Sequence, residues 1–167
     1  PIISENFALR RGHPNAVNCE LSRIGMVTKQ IKSDSVSYSA VNGGVSCDYF
    51  DYPMLLQTQS YLLSVSGKQI VGRSAKFYLQ NRGTSHMDLE ELLPNSVYSK
   101  NYVIESFEKG QGGYVLNFET RSFGNVPSEN EINRITFAPI PTKFLSEITI
   151  GPRKELIVQN KVSIINS

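Results

Sequence analysis

Tryptophan is absent from this 167-residue sequence, and histidine and cysteine occur only twice each. Two histidines cannot form a three-histidine zinc site, and neither cysteine belongs to a CxxC pair of the kind found in metal and thioredoxin-type sites. The sequence contains no signal peptide, no apolar run near the length of about 18 residues that spans a membrane, and no G-x-S-x-G elbow of a serine hydrolase. It therefore offers no familiar catalytic or metal motif.

Charge is also sparse and evenly spread along the chain. Lys and Arg number 17 against 15 for Asp and Glu, and the basic residues form no run of five or more. A basic patch is the usual electrostatic signature of nucleic-acid binding, so nucleic acid is not an expected partner. Charged residues make up 19% and hydrophobic residues 40% of the chain, which argues against disorder and against a long-helix protein.

The length predicts one domain, residues 1–167, large enough to bury a core without a metal or a disulfide. The chain begins at Pro1 rather than at a methionine, and it ends in the strand-like run KVSIINS. We expect from these ends that it is a fragment excised from a longer protein. The absence of a membrane segment from this sequence then says nothing about the longer parent protein, which we expect to be a membrane protein.

Short apolar or alternating runs cut by turn residues fill the stretch from Ser60 to Ile150. They read YLLSVSG, SAKFYLQNRG, NYVIESFEKGQGG, YVLNFETRSFGN, EINRITFAPIP and FLSEITIG. Strands at a spacing of roughly 8–12 residues, separated by Gly and Asn turns, are typical of an antiparallel sandwich or barrel. No helix longer than two turns is expected.

Alternation assigns one apolar face to each predicted strand. The inward sets are Val36, Tyr38 and Ala40; Tyr61, Leu63 and Val65; Ala75, Phe77 and Leu79; Tyr114, Leu116 and Phe118; and Ile135 and Phe137. Turns are predicted at Asn42–Gly44, Ser66–Lys68, Asn81–Gly83, Phe123–Ser128 and Pro139–Pro141, with a hairpin tip at Gly110–Gly113. The ambiguous run Met87–Leu93 is assigned to a strand or a short turn, because Pro94 stops it too early for a stable helix. Val17–Val27 and Leu145–Ile150 are predicted strands as well.

Four segments of the chain together resemble a known kind of module. The segments YLLSVSGKQIVGRSAKFYLQN, DLEELLP, ESFEKGQGGYVLNFETRSFG and NEINRITFAPIP resemble the extracytoplasmic jelly-roll modules of bacterial integral-membrane glycosyltransferase-like proteins. Such modules are similar to carbohydrate-binding modules and follow a bundle of membrane helices. The resemblance covers about the last two-thirds of the chain and brings no catalytic motif. It implies an all-β jelly-roll sandwich of two antiparallel sheets.

Catalysis finds little support in the ionisable residues. A glycosidase needs two carboxylates that flank the scissile bond, and the candidates are Asp48, Asp51, Glu105 and Glu119. The fifteen acidic residues are scattered over the chain and give no catalytic signal, because carboxylates in a β protein are usually solvated. The histidines, His13 and His86, both fall in predicted loops. We therefore expect that the domain itself is not an enzyme.

No cofactor is expected, with one open alternative. Calcium is held by six to eight oxygen ligands, and the predicted loop Gly124–Asn133 offers a set of carboxylates and amides. These are Asn125, Glu129, Asn130, Glu131 and Asn133. Their spacing fits no compact calcium-loop motif, so a plain polar loop is the other interpretation.

A glycan is the ligand that the polar strand faces favour. Sugars stack on aromatic rings and accept hydrogen bonds from planar polar side chains. Tyr78 is the clearest outward aromatic residue, and Asn117, Glu119 and Arg121 share the polar face of one strand. The alternative is that Tyr78 caps the sandwich edge and that the polar row is only the wet side of a sheet.

Two local features stay open at the level of sequence. Cys19 and Cys47 form a disulfide in an oxidising compartment and are buried thiols in the cytosol. In the run Tyr49–Met54, three aromatic residues in four positions cannot all face one core, so at least one meets solvent, another domain or a ligand.

The leading hypothesis is a non-catalytic, extracytoplasmic carbohydrate-binding module of a membrane-bound glycosyltransferase-type protein. It would hold or orient a glycan, and the rest of the parent protein would be its second partner. The alternative is a structural or protein-interaction sandwich that packs on its parent.

Overall fold

The computed structural model describes residues 2–7 and 26–159. The predicted loop around His13, most of the strand predicted over Val17–Val27, and Cys19 therefore lie outside the described residues. No helix in the described ranges has the length and apolar character needed to cross a membrane.

Strands make up nearly all the regular structure. The strands are β1 Ile3–Ser4, β2 Met26–Ile31, β3 Val36–Val41, β4 Val45–Tyr52, β5 Ser60–Val71, β6 Lys76–Asn81, β7 Met87–Leu92, β8 Val97–Ile104, β9 Tyr114–Arg121, β10 Ser128–Ile140, β11 Ile148–Ile150 and β12 Leu156–Gln159. A short 3-10 helix covers Thr142–Glu147. The strand β7 confirms the assignment of the ambiguous run after Met87.

The strands form two antiparallel sheets that pack face to face. The larger sheet has the order β2-β3-β10-β5-β8, with β1 also paired to β10, and the smaller sheet has the order β4-β9-β6-β7. A separate antiparallel pair joins β11 to β12. The predicted all-β sandwich of two antiparallel sheets is confirmed.

The core lies between the two sheets and contains the predicted inward faces. Phe77 lies at its centre, with ring centroids 5.1 Å from Tyr102 of the larger sheet and 6.0 Å from Phe118 of the smaller one. The cluster also includes Val36, Tyr38, Tyr61, Leu63, Val65, Ala75, Leu79, Tyr114, Leu116, Ile135 and Phe137. Full burial of a valine, leucine, isoleucine or phenylalanine side chain stabilises the folded state by about 1.5–3 kcal/mol relative to leaving it exposed.

A second, smaller apolar cluster covers part of the outer face of the larger sheet. Its buried members are Leu62, Val103, Ala138 and Ile140, and the 3-10 helix and the β11–β12 pair supply Phe144, Leu145, Ile148, Ile150 and Leu156. The strand predicted over Leu145–Ile150 is thus short, and its first half belongs to the 3-10 helix. This part of the larger sheet is occupied by the chain itself.

The turn predicted at Ser66–Lys68 is wrong, because β5 runs straight through it. Gly67 pairs with Tyr98 on one side and Ile132 on the other. A Cβ atom at Gly67 would lie 2.2 Å from the Glu131 carbonyl oxygen and 2.8 Å from the Tyr98 hydroxyl. The glycine therefore permits a close approach inside a strand, which local sequence does not distinguish from a turn.

The hairpin predicted at Gly110–Gly113 is also wrong. The strand before it, β8, belongs to the larger sheet, whereas β9 belongs to the smaller sheet. The segment therefore crosses between the sheets, and the buried Gln57 amide anchors it by donating to the carbonyls of Gln111 at 3.3 Å and Gly113 at 2.6 Å. Glycines alone predict a turn but cannot say which sheet the next strand joins.

The strand β10 is longer at both ends than predicted. It begins at Ser128, so the predicted polar loop Gly124–Asn133 is half strand. It also continues through Pro139, which pairs with Tyr61 of β5. On the other side of β10, β1 pairs only with Thr136 and Phe137. Among the described residues, no strand on that side therefore needs a hydrogen bond from Pro139, which has no backbone N–H.

Candidate functional site

The outer face of the smaller sheet places polar and aromatic side chains in rows across four strands. One row runs Tyr49, Asn117, Tyr78, Glu90 across β4, β9, β6 and β7, and the next runs Cys47, Glu119, Lys76, Leu92. Their neighbours along each strand point into the core, because side chains alternate between the two faces of a sheet.

All four ligand-binding residues predicted from the sequence lie on this face. Tyr78 is directly opposite Asn117, and Glu119 follows two positions later beside Lys76. Arg121 comes two positions later again, at the end of β9. The fold thus gathers the four residues onto one surface, and their role in binding stays a prediction.

Two depressions on this face join at Tyr78 and Glu119. The larger has a volume of about 680 Å³ and is lined by Arg73, Ser74, Lys76, Tyr78, Glu90, Glu91, Leu92, Glu119, Arg121, Phe123 and Arg153. The smaller has a volume of about 180 Å³ and is lined by Tyr49, Tyr78, Gln80, Met87, Val115, Asn117 and Glu119. Because they share two residues, we treat them as one feature and call it the outer-face groove. It follows the strands over about 20 Å from Arg121 to Val115.

Ion pairs set the floor of the groove. The Arg121 guanidinium donates to Oε1 of Glu119 from Nε at 3.0 Å and lies 2.9 Å from it through Nη2. The Lys76 ammonium lies 3.0 Å from Oε1 of Glu90 and 5.1 Å from the centre of the Tyr78 ring. Its hydrogen bond to Glu90 is the main cause that raises the Lys76 pKa above its usual value, so Lys76 is charged at neutral pH.

Arg73 and Phe123 close one end of the groove and were not predicted from the sequence. The Arg73 guanidinium carbon lies 4.0 Å from the centre of the Phe123 ring, and 58% of Phe123 is exposed. Arg73 follows β5 and Phe123 follows β9, so only the packing of the two sheets brings them together. The signal available in the sequence was an aromatic residue, Phe123, at the first position of the predicted turn Phe123–Ser128.

The four carboxylates considered as catalytic candidates are dispersed, and each is engaged by a different cation. Glu119 pairs with Arg121, and Asp51 with Arg82 at 3.3 Å. Glu105 accepts a hydrogen bond from Lys154 at 2.7 Å. The fully buried Asp48 lies 3.4 Å from the Lys29 ammonium and accepts a hydrogen bond from the Tyr38 hydroxyl at 3.2 Å.

The side chains considered as candidate calcium ligands do not gather in a loop. The Asn130 amide is buried and donates to the Arg73 carbonyl and to the Thr120 hydroxyl, whereas Glu129 accepts from Ser39 and Glu131 pairs with Lys32. Neighbours in β10 point to opposite faces. No group of three or more His, Cys, Asp or Glu side chains in the described ranges is arranged to hold a metal. The expectation of no cofactor stays a prediction, and its alternative, a bound calcium ion, has no defined ligand set among the described residues.

The three aromatic residues of the Tyr49–Met54 run divide between the two faces of β4, and Met54 lies beyond the end of that strand. Phe50 and Tyr52 are buried in the core, while Tyr49 lines the groove and Met54 is exposed. In the same strand, Cys47 is disulfide-bonded. The sequence had left a disulfide and a buried thiol open for this residue, and the structure shows the disulfide.

No protein-family model matches the sequence, and no relative was found among curated proteins. Solved structures do share the fold. One, described as a CBM4 carbohydrate-binding module, has 10% sequence identity and a TM-score of 0.50 over 74% of this chain and 83% of that one. A xylan-binding CBM15 module has 11% identity and a TM-score of 0.50 over 82% of this chain and 95% of that one. This likeness confirms the jelly-roll sandwich fold.

Proposed function

We propose that this chain is a non-catalytic carbohydrate-binding module that holds a glycan in the outer-face groove. The observation that carries the proposal is the position of Tyr78 at the junction of the two depressions, with Asn117 opposite it. The xylan-binding module of the same fold supports the ligand class.

The side chains of the groove have the chemistry that sugar recognition needs. A half-exposed tyrosine ring offers a flat apolar face to the C–H groups of a pyranose. Asn117 can both donate and accept hydrogen bonds, and the fork of Arg121 has N–H groups beyond those directed at Glu119. Since a neutral sugar presents many hydroxyls and one apolar face, this mixture suits it better than a purely apolar pocket would.

A holding role without catalysis is supported by the same geometry. Retaining and inverting glycosidases need a carboxyl group that gives up a proton and a second one across the bond. In the groove, the Glu90 and Glu119 carboxylates each lie within 3.0 Å of the cation of a neighbouring side chain, so both are engaged in ion pairs within the protein.

We further propose that the module belongs to a membrane-associated glycosyltransferase-type protein and works outside the cytoplasm, where it orients a glycan for the parent. The sequence resemblance supports the parent, and the disulfide of Cys47 supports an oxidising compartment. The protein sequence before Pro1 tests this context. Membrane-spanning helices there support it, and a signal peptide that leads directly into the domain contradicts it.

A second candidate function, docking onto another part of the parent, is favoured by an apolar patch at one end of the sandwich. Leu56 and Phe107 are both exposed. A hydrogen bond of 2.7 Å from the Phe107 amide to the Gln57 carbonyl holds their two segments together. Met54 extends the patch and is 57% exposed. In this case, polar substitutions in the patch weaken attachment to the parent and leave glycan binding unchanged.

A glycan array followed by isothermal titration calorimetry tests the main proposal. Tyr78→Ala is expected to weaken binding roughly tenfold or more, because the stacking surface is lost, whereas Tyr78→Phe keeps the ring and most of the affinity. Phe107→Ala is the matched control, since it removes an exposed aromatic ring away from the groove. The proposal is contradicted if the domain binds no polysaccharide on the array, or if Tyr78→Ala binds as tightly as the unsubstituted domain.

A further inference from the structure

The two halves of the outer-face groove differ in charge. Among the described residues, the smaller depression has one acidic side chain, Glu119, and no basic one. The larger depression has four basic side chains, Arg73, Lys76, Arg121 and Arg153, and three acidic ones, Glu90, Glu91 and Glu119. The larger half therefore has one positive charge in excess.

That excess belongs to Arg73. The other three cations each face their own carboxylate, with N–O distances of 3.0 Å for Lys76–Glu90, 2.9 Å for Arg121–Glu119 and 3.6 Å for Arg153–Glu91. None of the ion pairs within the described ranges includes Arg73, and its guanidinium instead lies on the Phe123 ring. An unpaired cation held on an aromatic face keeps its N–H groups available for a ligand.

Buried polar groups fix the backbone of Arg73. Its amide donates to the Ser128 hydroxyl at 2.9 Å, and its carbonyl accepts from the Asn130 amide at 2.8 Å. Ser128 and Asn130 are both buried in β10. The cation is thus tied to the sandwich rather than carried by a free loop, and this lowers the entropy cost of fixing it on a ligand.

We propose that the glycan bound in the groove is acidic and that Arg73, seated on Phe123, binds its anionic substituent. This rests on the proposed function and adds the ligand class to it. Carboxylate and sulfate groups each present at least two anionic oxygens side by side, and a guanidinium binds such a pair with two parallel N–H bonds. The neutral part of the glycan then lies toward Asn117 in the smaller depression, whose lining has no basic side chain among the described residues.

Matched pairs of polysaccharides test the ligand class. The probes are polygalacturonate and hyaluronan, each beside its carboxyl-reduced form, dextran sulfate beside dextran, and neutral xylan and mannan. We expect at least one acidic polymer to bind about tenfold tighter than its neutral counterpart, with an affinity that falls as ionic strength rises. The carboxylate and sulfate arms show which anion is preferred.

Variants locate the charge effect. Arg73→Gln is expected to remove most of the difference between an acidic polymer and its neutral form, and Arg73→Lys to retain part of it because the charge remains without the fork. Arg134→Gln removes an exposed arginine of the larger sheet and should change nothing. Circular dichroism confirms that each variant is folded.

The outcomes separate the two proposals. If neutral polymers bind through Tyr78 and acidic ones bind no tighter, or if Arg73→Gln and Arg134→Gln behave alike, the acidic-glycan inference is wrong and the proposed function stands. If no polymer binds, the proposed function is wrong and the inference fails with it.

Discussion

The side-chain amide of Asn130 donates a hydrogen bond of 3.1 Å to the hydroxyl of Thr120 and thereby joins the two sheets through the core. Asn130 belongs to β10 of the larger sheet and Thr120 to β9 of the smaller one. Both side chains are buried, and the same amide also holds the carbonyl of Arg73 at 2.8 Å. One residue thus links the sandwich interior to the end of the groove.

Asn130→Ala is expected to lower the free energy of unfolding by about 1–3 kcal/mol, because it leaves the buried Thr120 hydroxyl and the partly buried Arg73 carbonyl without their donor. Chemical denaturation measures this change. Asn133→Ala, at an exposed position of the same strand, is the control and should stay within about 0.5 kcal/mol of the parent sequence. Equal effects of the two substitutions would show that the inter-sheet bond does not contribute.

Alkaline pH is expected to destabilise the fold through its buried tyrosines. Burial raises the pKa of Tyr114 from 10.0 to about 12, and burial also raises the pKa values of Tyr98 and Tyr102. Since the folded state keeps a proton that the unfolded state loses, the stability is complete below pH 10 and falls as pH rises toward about 12. Thermal unfolding across this range measures the loss.

Tyr114→Phe tests which side chain causes the alkaline loss. Its hydroxyl is buried and has no hydrogen-bond partner among the described residues, so removing it should leave the stability at neutral pH unchanged or slightly higher. The fall in stability above pH 10 should become shallower. An identical pH profile for the variant and the parent sequence contradicts this assignment.

The Glu119–Arg121 pair is expected to contribute little to stability. The Arg121 side chain is 45% exposed, and the coupling energy of ion pairs at the protein surface is about 0.2–1 kcal/mol and decreases with salt. A double-mutant cycle of Glu119→Gln and Arg121→Gln, followed by chemical denaturation, measures it. A coupling above about 2 kcal/mol would assign the pair a structural role and weaken its assignment to ligand binding.

Reduction of the disulfide at Cys47 is expected to lower the free energy of unfolding by about 2–5 kcal/mol. Denaturation with and without a thiol reductant measures the effect. Cys47→Ala is the control, because the reductant should then have no further effect. If the unsubstituted domain is equally stable with and without the reductant, the disulfide no longer supports an extracytoplasmic location.

Strand faces were predictable from the sequence because alternation is a local property. Phe77 and Tyr78 show this, since neighbouring residues of one strand separate into core and groove as the pattern requires. The same reasoning placed Asn117 and Glu119 on the polar side of β9. Local patterns failed where a glycine served a distant neighbour, as at Gly67, or preceded a change of sheet, as at Gly113.

The all-β class and the two faces of each strand follow from local sequence, because alternation and turn residues act over a few positions. The pairing of β6 with β9, which brings Tyr78 opposite Asn117, and the contact of Arg73 with Phe123 follow from the tertiary structure. These are pairings between residues far apart in the chain, and they depend on how the sheets pack. The groove, and the position in it of Arg73, which has no carboxylate partner among the described residues, are products of that packing.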